Sequence, residues 1–319
     1  MKGEVPRVCI DYSFGAHSDH NTSELINLEQ RLRGFFRPDA RNIYFREDVA
    51  IPSEGKRLMD CSAESPSFYN TFLNAIAQLN SKSGDFEKER QEAEAKMMSE
   101  PELVFAREEM LMIDRLKQLF PIAVEQEDTS DKRGYKLRED RKIYSRKRAD
   151  AKRLLIAKKL PAALGQELIA VTALAGNVRE RNKKYRYVIN ALVADTMAKP
   201  TLPDLRLAIR VGSTHDALFD QTLVANAKYG DEVIVTRAYD SGITDIEKVR
   251  RYADSLMKKF ELNPSYKPTQ MELMRSLADS VLDDVLMDQG LSRIERRQIV
   301  VDQIANASED FLLTILNAK

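Results

Sequence analysis

"VPRVCIDYSFGAHSDHNTSELINLEQRLRGFF", residues 5–36, is the stretch on which the fold turns. Its opening, VPRVCIDYS, is a β-branched and apolar run of the kind that forms a buried strand. Its second half starts a helix, with Asn21 as N-cap and Glu24 three residues on in a capping-box arrangement. A further β-rich run, RNIYFREDVAI, occupies 41–51. A strand, a loop, a helix and a strand thus fit residues 5–51. The loop holds His17 and His20, two of only three histidines in the chain, on either side of Asp19.

Beyond this unit the texture becomes helical. Ser65 and Pro66 form an N-cap followed by proline at the first helical position, and Phe68, Phe72, Ile76 and Leu79 then recur on one face. Ser99 and Glu102 repeat the capping-box spacing and predict a helix to about Phe120. From Asp85 to Asp131 there are fourteen acidic and six basic residues. From Lys132 to Lys159 the sign reverses, to thirteen basic and three acidic. Between the two blocks, PIAVEQEDTSDKRGY reads as a loop or linker.

Two apolar-periodic helices are expected at 161–175 and 179–198. LPDLRLAIRVGS and DEVIVTRAYD read as strands, separated by a helix that Gly230 closes. Thr244 and Glu247 cap a further helix. After the turn NPSYKP, three more begin at Thr269, Ser292 and Ser308, the first with a stripe of Met274, Leu277, Val281, Leu282, Val285 and Leu286. The fold expected is mainly α with a minor α/β part. It comprises a small N-terminal strand-helix-strand unit (1–64), a charged helical middle region (65–200) and a C-terminal helical bundle with one or two short strands (201–319).

Composition narrows the function. In a chain of 319 residues, 43% hydrophobic content is ample for a buried core, and fifty basic residues balance fifty acidic ones. No global field therefore draws the protein to nucleic acid or anionic lipid; any such attraction must be local. Cys9 and Cys61 form no disulfide framework, no signal peptide is visible, and the apolar runs fall short of a bilayer span. Cytoplasmic residence is the simplest expectation, with export as an effector compatible with the same features.

Two stretches carry candidate chemistry. GAHSDH, residues 15–20, is similar to the H-x-H-x-D-H signature of the metallo-β-lactamase superfamily, in which a strand delivers metal ligands to a loop before a helix. His17, Asp19 and His20 match its second His, its Asp and its last His, and Gly15 stands where the first His belongs. That resemblance implies a metal-dependent hydrolase, but only His215 remains elsewhere, so the full binuclear set cannot be assembled. A single divalent cation held by Asp11, His17, Asp19 and His20 is chemically suitable, since imidazole and carboxylate fit zinc and similar ions. Ser18, Asp19 and Asn21 are equally the residues of a capping turn.

The second stretch is the basic run, where Lys136, Arg138, Arg141, Lys142, Arg146, Lys147, Arg148, Lys152 and Arg153 are interleaved with tyrosines. Such a run can grip phosphates, aided by RERNKKYRY at 179–187, or can pair with acidic helices inside the protein or on a partner. No Walker loop, nucleophile elbow, zincin or dinucleotide motif occurs. The expectation is a non-enzymatic protein-interaction protein, an adaptor, scaffold or regulatory subunit using opposed acidic and basic helices, that contacts another protein or a second copy. Nucleic-acid binding through 132–159 and metal-dependent hydrolysis at His17 and His20 are the alternatives.

Overall fold

The structure, a computed structural model, describes residues 6–15, 22–47, 63–64, 67–80, 85–99, 101–126, 132–239, 251–291 and 293–317. In chain order the elements are β1 (Val8–Gly15), α1 (Thr22–Phe35), β2 (Arg41–Arg46), α2 (Phe68–Asn80), α3 (Phe86–Ser99), α4 (Pro101–Lys117), β3 (Ile122–Gln126), α5 (Lys132–Ile156), α6 (Leu160–Ala198), β4 (Leu205–Gly212), α7 (Ala217–Asn226), β5 (Val233–Tyr239), α8 (Tyr252–Leu262), α9 (Gln270–Asp288), α10 (Arg293–Ile304) and α11 (Glu309–Asn317). Helix predominates, as the patterning predicts, and the strands of the described residues form one small parallel sheet. No helix among the described residues is long and apolar enough to cross a membrane.

The chain resolves into two compact units, each discontinuous in sequence: 1–134 with 184–244, and 135–183 with 245–319. These divisions cut across the three consecutive segments expected from composition. The difference arises because strands expected in separate places share one sheet, of order β3-β2-β4-β1-β5, with every pairing parallel. Val8 stands opposite Leu205 and Val233, so the N-terminal strand is flanked by the two late ones. Apolar patterning reports an element's period and not its partner, so this pairing could not be read from local sequence.

In the first unit helices cover both faces of the sheet. Tyr44, Ala208, Ile122 and Val124 pack with Leu28 and Leu32 of α1, Phe72 of α2 and Met110 and Ile113 of α4. Ile10, Tyr12, Phe45, Leu207 and Ile209 pack on the other face with Tyr185, Ile189 and Val193 of α6 and Leu218 of α7. This is an open, doubly wound α/β arrangement, in which strands buried on both faces read as nearly continuous apolar runs. β3 falls within the stretch expected to be a loop. It is five residues long, and its acidic neighbours mask the apolar core of the strand.

The second unit is a helical bundle. Ala151 and Leu155 of α5, Leu164 and Val171 of α6, Phe260 of α8, Leu277 and Val281 of α9, Ile304 of α10 and Leu312 of α11 form its core. The two helices expected at 161–175 and 179–198 are one, 39 residues long. Gly176 lies inside it, at a cost of only about 1 kcal/mol relative to alanine, too little to break a helix packed along its length. Of the stripe on α9, Met274, Leu277, Val281 and Leu286 are core and Leu282 packs against them, as the spacing predicts. Thr269 caps the same helix: its hydroxyl accepts from the Glu272 N–H at 3.2 Å, while Glu272 accepts from the Thr269 N–H at 2.8 Å. Ser65, Thr244, Glu247 and Ser292 lie outside the described residues. On α2 the capping hydroxyl is Ser67, which accepts from Asn70 N–H at 3.1 Å.

Candidate functional site

Parallel strands deliver all their carboxyl ends to one edge of a sheet, and in open α/β folds ligands bind there, where neighbouring strands lead to opposite faces. β1 and β4 are such neighbours. The chain leaves β1 for α1 and returns as β2 on one side, and it leaves β4 for α7 and returns as β5 on the other. Near this edge one row of register positions carries Arg46 on β2, Arg210 on β4 and Ser13 on β1. Two register positions further on, β1 and β4 both end in glycine, Gly15 opposite Gly212.

Two arginines side by side on adjacent strands repel one another, and a single carboxylate from α4 compensates. Glu109 accepts from Arg46 at 2.9 Å and from the Tyr44 hydroxyl at 2.7 Å, and lies 3.1 Å from Arg210. Burial pushes the Glu109 carboxyl up, but Arg46, Arg210 and the Tyr44 hydroxyl outweigh it and hold it at about 2. The Tyr44 phenol is driven far above its usual value by burial and by Glu109. Phe68 and Phe105 face the guanidiniums of Arg46 and Arg210 at 5.6 and 4.9 Å, which recovers part of the desolvation cost. The two arginines are 1% and 4% exposed, and Arg46 Nε and Nη1 have no hydrogen-bond partner among the described residues. The cluster thus joins both guanidiniums to the Glu109 carboxylate.

Beside it, Glu47 follows directly on β2 and accepts from the Gly212 N–H at 2.8 Å, bracing the end of β4. His215 Nε2 lies 3.4 Å from the same carboxylate, and its ring rests 5.3 Å from that of Tyr185. One row deeper, Asp11 accepts from the Thr236 hydroxyl at 2.9 Å and is 3.2 Å from Arg31 Nε of α1.

Of the metal candidates only Asp11 is described, and it is held between Arg31 and Thr236; His17, Asp19 and His20 lie outside the described residues. Among the described residues no group of three or more His, Cys, Asp or Glu is placed to hold a metal ion. His215 joins Glu47.

The basic run lies on α5, of which Lys136 and Arg138 occupy the first turns. Arg148 is directed inward to Glu167 of α6, at 3.2 and 3.4 Å, and that fully buried carboxylate also accepts from Ser276 at 2.6 Å. Burial alone would depress the Arg148 guanidinium; Glu167 reverses this and raises it. Lys152 pairs with Asp284 of α9 at 2.6 Å. Lys142 and Arg153 pair locally with Glu139 and Asp150 at 2.8 and 2.9 Å. Arg141 and Arg146 are exposed without an acidic partner among the described residues, and Lys147 is half-buried. The partners of the inward-facing cations therefore come from α6 and α9, whereas the acidic helices α3 and α4 pack with α2.

Sequence reasoning passed over Arg46, Glu109 and Arg210. A signal was present for one of them, since Glu109 falls in the apolar stripe Phe105, Met112, Ile113 and Leu116 of α4, at spacings that place it on the buried face. For the arginines the signal is weaker, a single cation near the end of each apolar run. Comparison with protein families, with curated proteins and with solved structures yields no match to this chain.

Proposed function

We propose that the protein binds a small anionic ligand, phosphate- or carboxylate-bearing, at the carboxyl edge of its parallel sheet between β1 and β4. The observation that carries this reading is the arginine pair in register on β2 and β4 with the Glu109 carboxylate between them. Charge buried beneath a low-dielectric wall is poorly screened, so the guanidiniums of Arg46 and Arg210 contribute a positive field at the edge against the carboxylates of Glu109 and Glu47, and there Gly15 and Gly212 interpose no side chain. Arg46 acts through this field and needs no direct contact with the ligand.

Calorimetric titration with inorganic phosphate and with pyrophosphate, at constant ionic strength, tests it. Saturable binding is expected, weakened at least about tenfold by Arg46→Gln, or about 1.4 kcal/mol, and largely kept by Arg46→Lys, which preserves the charge. Absence of saturable binding, or equal binding by the Gln variant, would overturn it.

A second reading, a contact surface for an acidic protein partner, is supported by Arg141 and Arg146, which extend from α5 without acidic neighbours among the described residues. The same pairing pattern argues against a nucleic-acid groove, because Lys142, Arg148, Lys152 and Arg153 are already engaged. Affinity for a phosphate backbone grows with each cation free to displace counterions. No saturable binding of a labelled single-stranded oligonucleotide is therefore expected at low salt; anisotropy that saturates and then collapses with added salt would restore the nucleic-acid alternative.

A further inference from the structure

We propose that the cleft between α6 and α7 is a second ligand site, for a zwitterionic α-amino acid with an apolar side chain. It lies on the face of the sheet that α6 and α7 cover, opposite the one on which Glu109 of α4 meets Arg46 and Arg210, so it is independent of the anion site. The cleft holds about 400 Å³, within the roughly 300–1,000 Å³ of small-molecule sites. Its walls are Arg186 and Asn190 of α6 and Asp220, Gln221, Val224 and Ala225 of α7. Residues four apart share a helix face, which sets Arg186 in line with Asn190, Asp220 with Val224, and Gln221 with Ala225.

The polar groups of this cleft are unused by the protein. The side chains of Arg186, Asn190, Asp220 and Gln221 have no hydrogen-bond or ion-pair partner among the described residues, and Asn190 Oδ1 is also sheltered from solvent. Elsewhere α6 matches its charges, Lys183 with Glu180 at 2.8 Å and Lys199 with Asp195 at 2.5 Å. A sheltered acceptor without a donor is rare in a folded chain. Arg186 and Asp220 stand on the two walls of one cleft with opposite charges and do not pair, which leaves a place between them for a molecule carrying both signs. An α-amino acid carries them on adjacent groups. Its carboxylate accepts from the Arg186 guanidinium, and its ammonium donates to the Asp220 carboxylate and to Asn190 Oδ1. Its side chain covers Ala225 and Val224, the latter 77% exposed. A simple anion would face Asp220 unpaired and a simple cation would face Arg186, so the mixed lining selects the zwitterion.

Calorimetric titration of the full chain with L-leucine, leucinamide and N-acetyl-leucine tests this, since the second lacks the carboxylate and the third the ammonium. Saturable binding of leucine is expected, with each derivative at least about tenfold weaker. Pyrophosphate should not displace leucine. Arg186→Gln should remove the preference for leucine over leucinamide, and Asp220→Asn the preference over N-acetyl-leucine, both with unchanged far-UV circular dichroism. Should either variant fail to fold, the ligand series on the wild type decides the matter. No saturable binding of leucine, a derivative that binds as tightly as leucine, displacement by pyrophosphate, or binding that both substitutions leave unchanged would overturn the proposal.

Discussion

Glu109→Gln is expected to destabilise the first unit by about 3 to 5 kcal/mol, the range found when a buried ion pair loses one partner. The amide keeps the volume and can still accept from Tyr44, so the loss isolates charge. Arg46 and Arg210 would stand in register without the Glu109 carboxylate between them. The acid response of the wild-type chain has the same origin. The carboxyl titrates near 4.5 when unfolded and at about 2 when folded, so its contribution is complete above about pH 4.5 and is lost as pH falls towards 2. By linkage that contribution is about 3 kcal/mol, consistent with the mutational range. The chain has no tryptophan, so urea denaturation is best followed by circular dichroism at pH 7 and pH 3. The wild type should weaken between these values, and Glu109→Gln should start lower and change less. Equal stability of variant and wild type at pH 7 would remove Glu109 from the centre of the cluster.

Arg148→Met should cost the second unit a comparable amount, about 3 to 5 kcal/mol, because it leaves the fully buried Glu167 with the Ser276 hydroxyl as its one hydrogen-bond donor among the described residues. Adding Glu167→Gln should restore most of that loss, since an apolar or neutral replacement of both partners avoids the stranded charge. Two positions away, Arg146→Ala should change stability by less than about 0.5 kcal/mol, as exposed substitutions do. Thermal unfolding of the three variants separates the outcomes. If Arg146→Ala proved as damaging as Arg148→Met, the inward and outward assignment of the basic helix would be wrong.

These two residues show what the sequence discloses and what it conceals. Element type was legible wherever a period was sustained: α9 with its capping box, β1, β2, β4 and β5 all lie where apolar pattern and caps place them. Partnership was concealed, since nothing local tells Val8 that Leu205 will flank it. The acidic and basic blocks misdirect for a related reason. A count of charge assigns Glu109 and Arg148 to solvated surfaces, yet each stands on its helix in step with the buried positions. Tyr144, Arg148, Ala151 and Leu155 fall at successive turns of α5, as Phe105, Glu109, Met112 and Leu116 do on α4. Read by phase rather than by number, both charges belong inside. The arginines of the sheet offered no such phase, because β2 and β4 are covered on both faces and alternation there has no polar side to contrast.

The order of strands in the sheet also bears on how the protein is made. β1 and β2 are not neighbours; β4 lies between them and begins only at Leu205. A nascent chain that has emerged through residue 134 holds three of the five strands but lacks the central one, so β1 and β2 have no common partner and their hydrogen-bonding edges stay open. The bundle segment 135–183 must be synthesised before that gap can be filled, and the bundle itself waits for residues after 245. Neither unit is complete until part of the other has been synthesised. A cut at the visible change of charge near residue 131 would thus yield two incomplete fragments, and fragments that preserve the sheet must carry both ends of its sequence.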